Sequence, residues 1–244
     1  MALAASDAGV LLIGAGGLGC ATALGLAAAG VKRIGVVDDD VVDETNLHRQ
    51  VLHTPARVGM RKTASLSSWL QQRFPEVEVV EVAERFSAAN AAALVSRFAV
   101  LVDGSDNLFT KFLANDAAVL ASRPLIHAAA VGTMGQLTSV APGGRPCYRC
   151  FFEELPAPDA EAPSCAEAGV LGPVPGVLGA LQAAEAVRFL RGEPPAFVGR
   201  LLQYDAPSFS FRTVRFRRNP TCAVCGDRPT IHNLAQLPAA PEAC

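Results

Sequence analysis

The sequence lacks an apolar run long enough to cross a membrane, and it lacks an excess of either charge. Half of its 244 residues are hydrophobic, but they occur in short runs, whereas a transmembrane helix needs about 18 or more in succession. With 21 basic and 23 acidic side chains the net charge is −2, which predicts no general attraction for nucleic acid. The opening MALAASDAGV has neither the basic nor the apolar segment of a secretory signal. We therefore expect a cytoplasmic protein that binds neither membrane nor nucleic acid.

The chain also has no need of disulfides. A domain of this length buries about three quarters of its unfolded surface and can form a full core. In a reducing compartment, cysteines are more often metal ligands, catalytic thiols or core residues than disulfides. The seven cysteines are therefore interpreted in those terms.

Short strand-like runs alternate with alanine-rich helical stretches in the first half of the chain. GVLLIG, LGCATALGLAAAG and KRIGVVD predict a strand, a helix and a strand, and the alternation continues to about residue 130. After about residue 131, TMGQLTSVAP and GRLLQYDAPSFSFRTVRF alternate as antiparallel strands do. We predict an α/β fold: a Rossmann-like, doubly wound and mostly parallel sheet that antiparallel strands extend.

The sequence GAGGLG joins the first predicted strand to a helix. Gly14, Gly16 and Gly19 let the backbone close on a phosphate, whose charge the helix N-terminus favours. Asp38 ends the second strand, 19 residues after Gly19, where an acidic residue accepts hydrogen bonds from ribose hydroxyls. This indicates a nucleotide site; the alternative is a tight turn beside a strand-end aspartate. The motif alone does not distinguish a dinucleotide from ATP.

The segment DDDVVDETNLHRQVLHTPARVGMRK behind the ribose aspartate carries phosphate-binding chemistry. It contains Asn46, Arg49, Gln50 and Lys62. Arginine offers a planar fork and lysine a point charge to several anionic oxygens, which suits a triphosphate and which hydride transfer does not need. For any single residue the alternative is a solvated surface charge. For Lys62, on a predicted helix, phosphate contact and solvated surface charge have equal weight.

The run LVDGSDN ends the fourth predicted strand at the carboxyl edge, where ligands bind in open α/β sheets. Asp106 is placed to hold Mg²⁺ on the phosphates, because hard cations take carboxylate oxygens. Asn107 is an equal candidate for a ligand contact and for the cap of the next helix.

Two C-x-x-C pairs, separated by the 71 residues from 151 to 221, offer four thiolates. Cys147, Cys150, Cys222 and Cys225 suit a tetrahedral Zn²⁺ that is closed to substrate and therefore structural. The alternative, two redox pairs, is less typical, because such a motif usually occurs once.

Cys165 precedes a predicted helix, outside this set of four. A helix N-terminus lowers a thiol pKa, so Cys165 is a candidate reactive thiol; a buried small hydrophobe, as expected for Cys20, is the equal alternative.

These motifs closely resemble the sulfur-carrier adenylyltransferases of the MoeB and ThiF type (the HesA/MoeB/ThiF family), relatives of ubiquitin-activating enzymes. GAGGLG, DDDVVDETNLHRQ, VGMRK, DGSDN, PCYRC, CAEAGVLGPVPGVLGALQAAEA and NPTCAVCG occur in the family's order, from Gly14 to Cys225. The resemblance implies one adenylation domain over 1–244, with a nucleotide-binding half (1–130), a mixed-strand, crossover-loop and zinc half (131–228) and a tail (229–244).

The resemblance also assigns roles to residues. It implies nucleotide contact for Gly17, ribose contact for Asp38, phosphate contact for Arg49 and Lys62, and the Mg²⁺ side for Asp106. It further implies that Asp40, Asn46 and Gln50 complete the pocket, that the paired cysteines are the zinc ligands, and that Cys165 is the cysteine of the crossover loop.

The activity implied is attack by the C-terminal glycine carboxylate of a ubiquitin-like carrier, ending in Gly-Gly, on the α-phosphorus of ATP. Arg49, Lys62 and Mg²⁺ would offset the repulsion between the two anions. Sulfur is expected from a separate donor, because no rhodanese-like domain follows Cys225 in this sequence. The resemblance and the apolar helix VLGALQAAEAVRFL predict a homodimer.

Two other functions are compatible with parts of the sequence. A nicotinamide-dependent oxidoreductase would explain the glycine motif and Asp38, but not Arg49 and Lys62. A non-catalytic scaffold subunit is suggested because family members carry an N-terminal arginine that reaches the partner subunit's ATP, whereas the nine residues before Val10 contain none. The intact Asp38, Arg49, Lys62 and Asp106 argue against the scaffold.

Overall fold

The computed structural model describes residues 9–155 and 169–236, so the candidate Cys165 lies outside the described residues. The described strands are β1 Val10–Ile13, β2 Arg33–Val37, β3 Glu78–Val82, β4 Val100–Asp103, β5 Leu125–Val131, β6 Met134–Val140, β7 Arg200–Asp205 and β8 Ser210–Arg215. All eight form one sheet in the order β3-β2-β1-β4-β5-β6-β7-β8.

The sheet changes from parallel to antiparallel at β6. The neighbours among β3, β2, β1, β4 and β5 run parallel, whereas β6, β7 and β8 each pair antiparallel with the strand before them. The change occurs at a tight hairpin in which Val131 pairs with Met134, and Gly132 has the positive φ of 57° that glycine adopts without strain. The predicted change near residue 131 is confirmed.

Strand β1 shows why a continuous apolar run becomes a strand here. It is hydrogen-bonded on both edges, to β2 and to β4. Val10 and Leu12 belong to the core on one face of the sheet, and Leu11 and Ile13 to the core on the other. Because both faces are buried, no polar alternation is needed.

Helices cover both faces of the sheet, which confirms the doubly wound prediction. Within the described ranges, one face carries α1 Gly17–Ala28, α2 Lys62–Arg73 and α5 Pro173–Leu190, and the other carries α3 Ala88–Ser96 and α4 Leu108–Leu120. No helix in those ranges is both long and apolar enough to cross a membrane.

Small residues bring α5 close to α1 of the same chain. A Cβ on Gly179 would lie 2.6 Å from the Cβ of Ala21, and a Cβ on Gly25 would lie 2.6 Å from that of Ala183. The apolar, small-residue pattern of α5 is thus used within the chain, so this pattern by itself does not indicate a dimer contact.

Candidate functional site

A cleft of about 700 Å³ opens at the carboxyl ends of the parallel strands. It lies where β1 has β2 on one side and β4 on the other, the switch point at which open α/β sheets bind ligands. Its lining contains most of the predicted nucleotide residues: Gly14, Gly16, Gly17, Asp38, Asp40, Arg49, Gln50, Lys62, Asp106 and Asn107. Gly19 and Asn46 are not part of the lining: Gly19 lies against the Gly14 carbonyl, and Asn46 accepts a hydrogen bond from Arg49.

The glycine loop is built so that no side chain enters it. Gly14 has a φ of 100°, and a Cβ on Gly19 would lie 2.0 Å from the carbonyl oxygen of Gly14. A Cβ on Gly17 would lie 3.0 Å from Pro175 and 3.2 Å from the carbonyl oxygen of Arg49. The N-terminus of α1 carries no side-chain cap at Gly16, so its first backbone N–H groups are available to an anion.

Asp38 lies at the end of β2 and holds the loop beside it. Its carboxylate accepts hydrogen bonds from the backbone N–H groups of Ala15 at 2.7 Å and Asp40 at 2.9 Å. Burial raises the pKa of Asp38, and the Ala15 amide and the charge of Lys62 oppose that rise.

Two cations reach the cleft from different segments. Lys62, the first residue of α2, is buried, and its Nζ lies 2.6 Å from Oδ2 of the exposed Asp40. Arg49 donates to Oδ1 of Asn46 and lies 3.3 Å from Nε2 of His48. Neither contact supplies a negative charge, so the charge of Arg49 remains available to an anion.

Gln50 supplies an unpaired acceptor next to the glycine loop. The residue is 3% exposed, and its Oε1 has no hydrogen-bond partner among the described residues. Its Nε2 lies 3.7 Å from where a Cβ on Gly16 would be. A buried amide oxygen without a partner is costly, so this geometry suits a polar ligand that donates a hydrogen bond.

Asp106 and Asn107 lie at the rim of the cleft, between β4 and α4. The Asp106 side chain is exposed and forms no ion pair with the described residues. Asn107 caps α4, because its Oδ1 accepts from the backbone N–H of Thr110 at 2.8 Å. The capping alternative for Asn107 is therefore observed, while a ligand contact remains a prediction.

Sequence reasoning missed Lys111 as a cation of the cleft. Its Nζ donates to Oδ2 of Asp103 at 2.9 Å and to the carbonyl oxygen of Ala128 at 2.6 Å. His127 Nδ1 lies 2.8 Å from the same Oδ2. Burial alone would raise the pKa of Asp103, but Lys111, His127 and Ser105 together hold it below its usual range. One lysine in the otherwise apolar helix run LFTKFL was the available signal.

Further residues of the cleft also went unpredicted, because nothing in the local pattern marks them. They include Arg85 and Phe86.

The four predicted metal ligands come together on the face covered by α3 and α4. The sulfurs of Cys147, Cys150, Cys222 and Cys225 all lie within 4.8 Å of one another. The two cross pairs are 3.6 Å and 3.4 Å apart. A tetrahedral zinc with Zn–S bonds of about 2.3 Å has sulfur to sulfur edges of roughly 3.8 Å, so the arrangement fits that ion.

The cysteine knuckle, which consists of the segments 147–150 and 222–225, is bound to α4 by buried polar contacts. Arg149 donates to both carboxylate oxygens of Asp116, with the shortest contacts at 2.8 Å. Asn115 accepts from the backbone N–H of Tyr148 at 2.9 Å and lies 3.8 Å from Sγ of Cys147. The knuckle and the helix are therefore positioned together.

Comparison with known proteins finds a matching protein family and several similar proteins. Residues 3–224 match the ThiF family. The chain is 50% identical over 228 residues to the adenylyltransferase and sulfurtransferase MOCS3 of Bos taurus, across 93% of this chain and 50% of that protein. It is 45% identical over 218 residues to the SAMP-activating enzyme E1 of Haloferax volcanii, across 89% of this chain and 80% of that protein.

A solved structure of E. coli MccB with ATP has the same fold. Its TM-score is 0.75 at 26% identity, across 89% of this chain and 67% of the MccB chain. The chain spans about half the length of the MOCS3 relatives that it matches. Because the family match extends over nearly the whole sequence and the Haloferax relative is matched over most of its length, the chain belongs to the ThiF family.

Proposed function

We propose that this chain uses ATP and Mg²⁺ to adenylate the C-terminal glycine carboxylate of a ubiquitin-like sulfur-carrier protein that ends in Gly-Gly. The observation that carries the proposal is that Arg49 and Lys62 share one cleft with an uncapped glycine loop and with Asp38 and Asp106. This combination supplies positive charge for a triphosphate. The names of the MOCS3 relatives, which include adenylyltransferase, and of the SAMP-activating relative support the same reaction class.

The reaction balances without a protein nucleophile. A carboxylate oxygen of the carrier forms a bond to the α-phosphorus of ATP while the bond from that phosphorus to the bridging oxygen of the β-phosphate breaks. Pyrophosphate leaves with the electron pair, and an acyl-adenylate remains. A carboxylate has no proton to lose, so the site needs no general base.

The residues of the cleft would act mainly by position and charge. Both reactants are anions, and Arg49 and Lys62 reduce their repulsion and stabilise the charge that shifts to the leaving group. The α1 N-terminus adds backbone donors to the same phosphates. Asp40 pairs with Lys62, so part of the lysine charge is freed only when a phosphate competes with that carboxylate.

Asp106 is the residue we assign to Mg²⁺. Its carboxylate is exposed at the rim and unpaired within the described ranges, which fits a hard cation that retains several waters. A bound Mg²⁺ would neutralise charge on the phosphates. We assign ribose contact to Asp38 and the polar floor of the pocket to Gln50, which lines the cleft and has a buried Oε1 without a hydrogen-bond partner among the described residues.

We further propose a structural zinc at the four cysteines and a separate source of sulfur. The described cysteines are poor candidates for sulfur transfer: four lie together at the proposed zinc site, and burial raises the pKa of Cys20 to about 12. Cys165 remains a candidate of the crossover loop. We also propose a homodimer. We further propose a single adenylation domain over 1–244, and the one continuous sheet of eight strands supports this domain assignment.

The experiment is exchange of labelled pyrophosphate into ATP, with Mg²⁺ and a panel of carriers that end in Gly-Gly. We expect exchange with at least one carrier, and none when its last glycine is deleted. Arg49→Ala should reduce the rate by roughly 100-fold or more, since it removes charge that the transition state needs. Glu44→Gln is the matched control, because this exposed residue lies in the same segment but outside the cleft. Equal rates for Arg49→Ala and the wild type would refute the assigned site.

A further inference from the structure

His53 lies behind the glycine loop and does not line the cleft. The ring is 5% exposed and contacts three segments. Nε2 lies 3.0 Å from the carbonyl oxygen of Ala15 in the loop and 3.7 Å from Sγ of Cys20 in α1. Nδ1 lies 2.8 Å from Oγ of Ser65 in α2. One buried imidazole thus joins the loop to two helices.

The partners determine the tautomer of the ring. The Ala15 carbonyl only accepts hydrogen bonds, so Nε2 must carry the proton and donate to it. Nδ1 is then an acceptor, and the hydroxyl of Ser65 donates to it. Burial lowers the pKa of His53, which keeps the ring neutral near pH 7 and preserves this pattern.

These contacts fix both peptide units that flank Ala15. Its N–H donates to Asp38 at 2.7 Å, and its carbonyl oxygen accepts from His53 and from the Cys20 thiol at 3.4 Å. Ala15 directly precedes Gly16 and Gly17, so the direction of its carbonyl limits where the next backbone N–H groups point.

The other side of the ring contacts α2, the helix that begins with Lys62, to which phosphate contact is assigned. Ser65 is three residues after Lys62 on α2, and residues at that spacing lie on the same face of a helix. The His53 ring therefore connects the start of α2, which carries Lys62, to the glycine loop, through hydrogen bonds to Ser65 and Ala15. Elsewhere α2 is anchored by its own core residues Leu66 and Leu70, which are fully buried.

We infer that His53 is a positioning residue of the nucleotide site: through its hydrogen bonds to Ala15 and Ser65 it aligns the glycine loop with the Lys62 end of α2. The inference rests on the proposed function, because it assigns a purpose to that alignment only if the cleft binds a triphosphate. His53 does not line the cleft and touches no substrate; it acts through the loop.

Two substitutions separate the two hydrogen bonds. In His53→Gln, the side-chain amide nitrogen is at about the reach of Nε2 and can still donate to Ala15. In His53→Asn, the shorter side chain can accept from Ser65 but does not reach the loop. Ser65→Ala removes only the hydroxyl, and Ser67→Ala is its control, a buried serine on the same helix without a hydrogen bond to His53.

Binding of ATP with Mg²⁺ is measured by titration calorimetry, and melting temperature is measured in parallel. Loss of one aligned hydrogen bond corresponds to about a ten-fold change in affinity at most. We expect His53→Asn to weaken ATP binding about ten-fold, and Ser65→Ala and His53→Gln about three-fold each, because both of the latter remove only the Ser65 hydrogen bond, with Ser67→Ala within about two-fold of wild type. Two-bond ¹H–¹⁵N spectra should show His53 as the Nε2–H tautomer.

The possible failures are distinguishable. If the wild type does not bind ATP, the proposed function is wrong. If the wild type binds ATP and Ser65→Ala and His53→Asn bind it equally well, only the role of His53 is refuted. A merely structural role predicts lower melting temperatures with unchanged affinity, which also overturns the inference. Should His53→Asn fail to fold, Ser65→Ala and the tautomer spectrum decide.

Discussion

Replacing Lys111 by Met tests the buried charge network beside the cleft. Lys111 is 4% exposed, and its Nζ pairs at 2.9 Å with Asp103, whose side chain is fully buried. Methionine has nearly the same length and fills the same space without the charge. The Ala128 carbonyl loses its donor, and Asp103 keeps only His127 and Ser105 as partners on its carboxylate.

The expected loss of unfolding free energy is about 3–5 kcal/mol at neutral pH, because removing one partner leaves a buried charge uncompensated. The loss should shrink towards pH 4. The folded-state pKa of Asp103 lies below 3.8 in the wild type, so its contribution is present above that pH and disappears as the pH falls through the folded pKa. Without Lys111, the effect of burial on the Asp103 carboxyl exceeds that of its remaining partners, so the pKa of Asp103 rises. As the pH falls towards 4, this carboxyl group binds a proton in the folded variant, and the uncompensated buried charge disappears.

Urea unfolding at pH 7 and pH 4 measures the loss of unfolding free energy at neutral pH and its decrease on acidification, with Lys32→Met as the control. Lys32 forms an exposed pair with Glu76 at 3.5 Å, with 62% of the lysine side chain accessible, so its removal should cost under about 1 kcal/mol. The double variant Asp103→Asn/Lys111→Met should recover much of the loss, since neither charge of this pair then remains buried. A Lys111→Met loss as small as that of Lys32→Met at pH 7 would refute the reasoning.

Further predictions concern the metals, pH and assembly. Elemental analysis should find one zinc per chain, and Cys222→Ser should lose the metal and lower the melting temperature, because structural zinc binding contributes folding free energy; unchanged melting would contradict this. Asp106→Asn should reduce pyrophosphate exchange by roughly 100-fold or more at an unchanged melting temperature, and normal exchange would exclude Asp106 as the Mg²⁺ residue. Burial lowers the folded-state pKa of His53 and His127 below 6.5, so the unfolded state binds protons first and stability should fall as the pH drops through that value; a rise in urea midpoint from pH 7 to pH 5.5 would have the wrong sign. Light scattering at micromolar concentration should give the mass of a dimer, and a monomer mass would count against the proposed assembly.

The elements could be predicted from the sequence because their signals are local. A continuous apolar run such as VLLI becomes a strand buried on both faces, and the change in alternation after residue 131 marks the antiparallel extension. The glycine loop was predictable for the same reason, since Gly14 and Gly19 must approach each other within a few residues of chain. Spacing alone also identified the four cysteines, because few other structures need that pattern.

The supporting residues of the site could not be predicted, because their partners are distant in the chain. Lys111 becomes a cation of the cleft only when β4 brings Asp103 and β5 brings Ala128 to the same helix. His53 gains its role only when α2 places Ser65 beside the loop. Such pairings depend on register and helix rotation, which a periodic pattern does not determine.

The position of α4 explains why four cysteines belong to a domain whose cleft they do not line. Its C-terminal half binds the knuckle through Asn115 and Asp116, while its N-terminal end carries Asn107 and the cleft residue Lys111. From residue 107 to residue 115 the helix rises roughly 12 Å, a short and rigid distance. The knuckle joins segments separated by the 71 residues from 151 to 221, and it binds the C-terminal half of α4. Because the helix is rigid, the knuckle also constrains its N-terminal end, where the rim of the cleft begins. A metal at the knuckle would therefore stabilise the geometry of Asp106 and Lys111 without contacting either residue.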